Sequence, residues 1–199
     1  MRRRSLGAGL VILAVLLAGI LLYQQFLAPD TTVVTRVRAT NAARRAFIES
    51  DWHAALTAIE EGSQTLDGDD WELLTWQAVL LEKLGQPSAA VIDRALARGT
   101  AEDVWITYGM VALLADEPEL ALTAGESLMR IAPERVQGYY LIAQAYDALD
   151  QVEDALAFYE QTLSKTDEAE GAEAIYLATR QRVTQINISL LEDEIICCD

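Results

Sequence analysis

The second half of the sequence repeats at a fixed period. Trp105 and Tyr139 are 34 residues apart, as are Gly109 and Ala143, and Pro133 lies between the two copies. A period of this length is typical of stacked helical hairpins, in which each hairpin needs its neighbours to bury its apolar face. The sequence therefore predicts an all-α array of paired helices.

The predicted helices are separated by turn residues at regular intervals. Gly85-Gln86-Pro87 and Asp116-Glu117-Pro118 each place a proline where a new helix begins, a position at which proline is tolerated. Asp150 marks a further turn. About eight helices are expected, followed by a ninth that caps the last hairpin. The predicted repeats span residues 34–67, 70–99, 102–133 and 134–167, followed by a capping helix at 168–186 and a tail at 187–199.

The third and fourth units carry an early aromatic residue and small residues at the points where two helices of a hairpin meet. Unit three contains Trp105, Gly109, Asp116, Ala121 and Pro133; unit four contains Tyr139, Ala143, Tyr146, Asp150, Ala155 and Tyr159. This pattern resembles the tetratricopeptide repeat (TPR) family. We expect Gly109 to face Ala121 and Ala143 to face Ala155, so that the helix axes approach closely.

The resemblance also implies a binding surface. In TPR-like arrays the first helices of the units line a concave groove in which extended peptides bind. The residues expected in that groove are Arg44, Phe47, Thr75, Ile106, Met110, Leu113, Tyr140, Gln144 and Asp147. Such a mixed apolar and polar lining suits a peptide or a partner helix.

An apolar segment precedes the array. Residues 6–23 are 18 consecutive apolar or glycine residues, enough for a helix of roughly 27 Å. The sequence therefore predicts a basic tail at 1–5, a transmembrane anchor at 6–27 and a linker at 28–33, with a cleaved signal peptide as the alternative. The arginines at positions 2–4 favour a cytoplasmic N-terminus, with the repeats on the periplasmic or extracellular side of the cytoplasmic membrane.

Charge is distributed unevenly along the chain. Residues 1–45 carry seven arginines and one acidic residue, whereas the remainder carries 8 basic and 30 acidic residues. A surface this acidic repels phosphate, which argues against nucleic acid as a partner. Two interpretations remain open: the acidic residues serve solubility, or they attract a basic partner.

The sequence contains no recognisable catalytic or metal-binding motif. The single histidine, His53, is expected on a helix surface, and the acidic pairs lack the spacing of a calcium loop. Cys197 and Cys198 are adjacent, and a zinc site would need two more ligands. We therefore predict no enzyme activity, no cofactor, no metal and no small-molecule substrate.

Two functions remain compatible with these features. The first is a membrane-anchored interaction scaffold, or an assembly or maturation factor, that holds a protein or peptide client. The second is a non-catalytic accessory subunit of a large membrane protein complex.

Overall fold

The computed structural model describes residues 30–166 and 172–196, with the backbone alone over 191–196. These residues form nine helices. They are α1 (Thr31–Ile48), α2 (Trp52–Thr65), α3 (Trp71–Lys83), α4 (Ala89–Arg98), α5 (Ala101–Leu114), α6 (Pro118–Ile131), α7 (Val136–Ala148), α8 (Val152–Thr166) and α9 (Glu173–Ile196).

Several of these helices begin at a side-chain cap. Asp30, Asp51 and Asp70 accept hydrogen bonds from the backbone N–H groups two or three residues later, at 2.8, 2.9 and 3.1 Å. Such caps satisfy N–H groups that have no partner inside the helix. The aspartates between apolar segments therefore fix where α1, α2 and α3 start.

The turn inside each hairpin is built in the same way. The first helices α1, α3, α5 and α7 are each followed by a residue in the left-handed conformation: Ser50, Gly85, Asp116 and Asp150, with φ of 55, 67, 57 and 56°. The next N–H then bonds a carbonyl of the last helical turn, as Gln151 does with Tyr146 at 2.9 Å. This is the Schellman arrangement, which reverses the chain after a helix.

The helices stack in sequence order, and their contacts define the curvature of the array. Each of the first helices contacts the next first helix: α1 contacts α3, α3 contacts α5, and α5 contacts α7. Second helices of successive described hairpins make no comparable contact. The first helices therefore lie on the inner, concave side and the second helices on the outer side, which makes the array a TPR-like α-solenoid.

Two glycines lie where helices approach closely. A Cβ atom on Gly109 would lie 2.8 Å from Leu141 Cδ1 of α7 and 3.2 Å from Ala124 Cβ of α6, so both helices pack against Gly109. Gly125 is similarly crowded, because an added Cβ would lie 2.6 Å from Ile142 Cγ1. Because these two glycines have no side chain, α7 can pack closely against both α5 and α6.

The buried residues fall into one main core and smaller clusters. The main cluster runs from α1 to α6 and includes Ala145 of α7. A separate cluster joins Ala143 of α7, Ala155 and Tyr159 of α8, and Ile186 of α9. Helix α9 therefore takes the position that the first helix of a fifth unit would occupy, against the last hairpin.

Helix α9 is longer than predicted for a capping helix. It ends at Ile196, whereas the expected end was residue 186. No glycine or proline interrupts residues 187–196, so nothing in the sequence stops the helix there. Most of the predicted tail is consequently helical, while Cys197 and Cys198 lie outside the described residues.

The predicted transmembrane helix requires a correction. No helix in residues 30–166 or 172–196 is both long enough and apolar enough to cross a membrane. α1 has 18 residues but carries four arginines, and α5 is apolar but has only 14 residues. The predicted anchor, residues 6–27, lies outside the described residues. The fold class is thus an all-helical TPR-like solenoid, and the predicted fold class and localisation, which included a membrane anchor, are wrong in that respect.

Candidate protein-binding groove

Four of the residues predicted for the groove line one cavity at its C-terminal end. Leu113 of α5 and Tyr140, Gln144 and Asp147 of α7 surround a volume of about 400 Å³. The other lining residues are Ala148, Tyr159 and Arg182. The cavity is therefore formed where α5, α7, α8 and α9 meet.

Asp147 organises the polar side of this cavity. Its Oδ2 accepts hydrogen bonds from Arg182 Nε at 2.6 Å and from the Tyr159 hydroxyl at 3.0 Å, and its Oδ1 accepts one from Arg182 Nη2 at 2.7 Å. The hydrogen bonds from Arg182 hold the pKa of Asp147 below its ordinary value, and the bond from Tyr159 acts in the same direction. Burial and the neighbouring Asp147 charge raise the pKa of Tyr159. This network fixes α9 against the concave side of the last hairpin.

Two tyrosine rings form the apolar side of the cavity. The ring centroids of Tyr140 and Tyr159 are 6.3 Å apart, with planes inclined at 54°. Burial raises the pKa of the Tyr140 hydroxyl. The cavity thus offers aromatic surface next to a closed ion pair, which suits an apolar or aromatic side chain.

Helix α5 adds an exposed apolar row next to this cavity. Ile106, Met110 and Leu114 are four residues apart and therefore share one side of the helix. Met110 is 53% exposed and Leu114 is 49% exposed, while Ile106 is partly buried. We refer to these three residues as the α5 row.

The predicted groove residues of the first unit lie in an aromatic cluster. The Phe47 ring centroid is 5.1 Å from that of Trp52 and 5.8 Å from that of Trp76. Arg44 is exposed, and its guanidinium lies 5.7 Å from the Trp76 ring centroid. Phe47 therefore contributes mainly to packing, and Arg44 covers the cluster from the solvent side.

Thr75 does not belong to the groove surface. Its side chain is fully buried at 0% exposure, and its hydroxyl donates to the Trp71 carbonyl at 2.8 Å. The placement of Thr75 in the groove is therefore wrong.

Arg182 and Tyr159 were not predicted as lining residues, although the sequence contains a signal for Arg182. Ion pairs in this array join residues about one repeat apart. Arg36 pairs with Asp70 at 2.6 Å across 34 residues, and Arg182 pairs with Asp147 across 35. A search for opposite charges at the repeat spacing would have placed Arg182 beside Asp147.

In the described part of the chain, no three His, Cys, Asp or Glu side chains lie close enough together to bind a metal ion.

A second cavity of about 300 Å³ lies between α1 and α2 and is lined largely by small residues such as Ala39, Ala58 and Gly62.

The fold and this groove define a TPR-like helical array. No model of a known protein family matches the sequence, and no curated protein matches it. Among solved structures, the chain is similar to MamA residues 41 to the end from Desulfovibrio magneticus RS-1, with 22% identity and a TM-score of 0.45, covering 84% of this chain and 90% of that one. A MamA RS-1 double mutant gives 21% identity, a TM-score of 0.43 and coverages of 81% and 86%.

A further MamA crystal structure shows 17% identity and a TM-score of 0.40, with 80% of this chain and 92% of that chain covered. At these TM-scores the superpositions are loose. The assignment of a TPR-like array to this chain therefore rests on its own helix contacts and repeated turns.

Proposed function

We propose that the protein is a non-catalytic interaction scaffold that binds a segment of a partner protein along the concave side of α5 and α7. The partner's apolar side chains contact the α5 row, and one of them enters the cavity beside Tyr140. This role makes no use of a bound cofactor or of bond-breaking chemistry.

The proposal rests on one observation: α5 is apolar on all sides, yet part of its surface is exposed. Apart from its first turn, apolar residues surround the whole circumference of α5, from Val104 to Leu114. A helix that is apolar on all sides is normally covered on all sides. Here α3, α6 and α7 cover α5, but Met110 and Leu114 remain about half exposed on the concave side. A bound partner would supply the missing cover.

The adjoining cavity supports the same interpretation. It is continuous with α5 through Leu113, and its polar groups, Asp147, Tyr159 and Arg182, already satisfy one another. A site of this kind favours insertion of an apolar or aromatic side chain, because no unpaired buried charge has to be matched by the partner.

Site-specific photo-crosslinking in the native host tests this proposal. A benzoylphenylalanine residue would replace Met110 or Leu114 in separate variants. The matched controls place it at Glu126 of α6 or Glu160 of α8, which are exposed on the second helices. We expect one discrete protein adduct from the two α5 positions and none from the controls.

The opposite pattern would refute the proposal. If Glu126 and Glu160 gave the discrete adduct while the α5 positions did not, the binding surface would lie on the outer side. Equal adducts from all four positions would indicate collisional labelling with no defined site.

A further inference from the structure

We infer, on the basis of the groove proposed above, that the partner segment is a cationic amphipathic helix lying along α5. The inference deepens the proposed function by assigning the chemistry of the partner. It depends on the spacing of the exposed apolar side chains and on the acidic residues at both ends of the α5 row.

The spacing favours a helix over an extended strand. Ile106, Met110 and Leu114 form a row in which each residue is four positions from the next, over a length of about 12 Å. Rows of this kind are the ridges that fit between the side chains of a second helix. An apolar stripe of comparable length on the partner would therefore cover the α5 row.

The charge at both ends of the row favours a cationic partner. Asp103, in the first turn of α5, and Asp116, in the turn after it, are both exposed. They flank the three apolar residues along the chain on either side. Lysine or arginine residues at the two ends of the partner's apolar stripe would lie close to these carboxylates.

The array as a whole carries surplus negative charge, although Lys83 lies at the Asp116 end of the row, with its Nζ 3.3 Å from the Asp116 carbonyl oxygen and 2.8 Å from Glu117 Oε1. Beyond position 45 the chain has 8 basic and 30 acidic residues. Four of the eight basic residues are already held in ion pairs within the array: Lys83, Arg98, Arg135 and Arg182. The surplus negative charge would repel an acidic partner and attract a basic one.

The orientation of the charge along the groove also limits where the partner binds. Helix α1, at the opposite end, carries four arginines and no acidic residue; Arg36 is paired with Asp70 and Glu72 of α3, and the other three add positive charge at this end. A cationic helix is therefore disfavoured near α1 and favoured over α5 and α7. This is the part of the groove that contains the exposed apolar row and the cavity.

Fluorescence anisotropy with designed peptides tests the inference. The first probe is an 18-residue peptide with leucine at helical spacing and lysine elsewhere, and the second replaces every lysine with glutamate. A third probe contains the residues of the first in an order that has no apolar stripe. Each labelled peptide is titrated with the protein at low and at physiological salt.

Two variants separate the apolar from the electrostatic contribution. Met110→Gln/Leu114→Gln removes apolar surface without changing charge, and Asp103→Asn/Asp116→Asn removes two charges while keeping side-chain size. The matched control, Glu126→Gln/Glu160→Gln, removes two charges on the outer helices. Circular dichroism confirms that each variant is folded.

We expect the lysine probe to bind at least about tenfold more tightly than the glutamate or reordered probe. Met110→Gln/Leu114→Gln should weaken its binding by about tenfold or more, because the apolar contact is lost. Asp103→Asn/Asp116→Asn should weaken it by roughly threefold to tenfold, and the outer control by less than about twofold.

Two results with the probes would overturn the inference: the reordered or the glutamate probe binds as tightly as the lysine probe or more tightly, or no probe binds. It would also be overturned if the outer control Glu126→Gln/Glu160→Gln weakened binding of the lysine probe as much as Asp103→Asn/Asp116→Asn does. If crosslinking from Met110 still gave its discrete adduct, the scaffold proposal would stand and only the partner chemistry would be wrong. Sedimentation equilibrium detects a second copy as occupant: self-association abolished by Met110→Gln/Leu114→Gln would likewise overturn the inference.

Discussion

The ion pair between Arg36 and Asp70 should respond unequally to the loss of its two partners. Arg36 Nη2 lies 2.6 Å from Asp70 Oδ2, and Arg36 Nε lies 3.0 Å from the same oxygen. The Asp70 side chain is 4% exposed, whereas that of Arg36 is 26% exposed. Asp70 also caps α3 by accepting a hydrogen bond from Leu73 N at 3.1 Å.

These differences set the expected magnitudes. Arg36→Met keeps the aliphatic packing but leaves an almost fully buried carboxylate without its cation, a change that typically costs about 3–5 kcal/mol. Because the cap bond to Leu73 remains, we expect a cost of about 3 kcal/mol. Asp70→Asn keeps a side chain that caps helices equally well, and Arg36 still has Glu72 at 3.3 Å and access to water. Its cost should be about 1 kcal/mol.

Urea unfolding followed by circular dichroism measures both effects as shifts of the midpoint at constant slope. The double variant Arg36→Met/Asp70→Asn should be more stable than Arg36→Met alone, because the stranded charge is gone. If Asp70→Asn cost as much as Arg36→Met, or if the double variant were the least stable of the three, the argument from unequal burial would be refuted.

Three further predictions concern stability. Gly125→Ala should destabilise by about 1–3 kcal/mol, because the new Cβ would lie 2.6 Å from Ile142 Cγ1; an unchanged urea midpoint would contradict this. Thr179→Val should stabilise by about 1 kcal/mol, since the buried Thr179 hydroxyl has no hydrogen-bond partner among the described residues; a loss of stability would show that it has one. Burial raises the pKa of Tyr108 from 10.0 to about 12, so its contribution to stability is present below pH 10 and lost as the pH rises towards 12. Tyr108→Phe should make the urea midpoint fall less over that pH range, and a profile identical to that of the parent protein would oppose the prediction.

The helical organisation could be predicted from the sequence because its breaks are local. Pro118 can occupy only the first turn of a helix, and Gly85 readily adopts the left-handed conformation that ends one. The structure has a helix beginning at Pro118 and a turn at Gly85 with φ of 67°. The repeat spacing then aligned the residues of one hairpin with those of the next, and this alignment required no knowledge of which residues are in contact.

The surface of the groove was harder to predict because it depends on how closely neighbouring helices approach. Thr75 was expected in the groove, yet its side chain is fully buried. Gly109 was expected to allow close contact within its hairpin, but the side chain of Leu141 from the next hairpin also lies against it. Arg182 reaches the cavity because α9 packs against α8, and the spacing of 35 residues between Asp147 and Arg182 is the one signal of that pair.

The stacking of helices in sequence order also has a mechanical consequence. Within the described residues the substantial contacts of every helix are with near neighbours in the array, and no substantial contact joins α1 to α9. Tension applied between the two ends would therefore be transmitted through every hairpin interface along the array. Since the concave side lies along the same interfaces, stretching or compressing the array would widen or narrow the groove, so that force on the ends could change how firmly a bound segment is held.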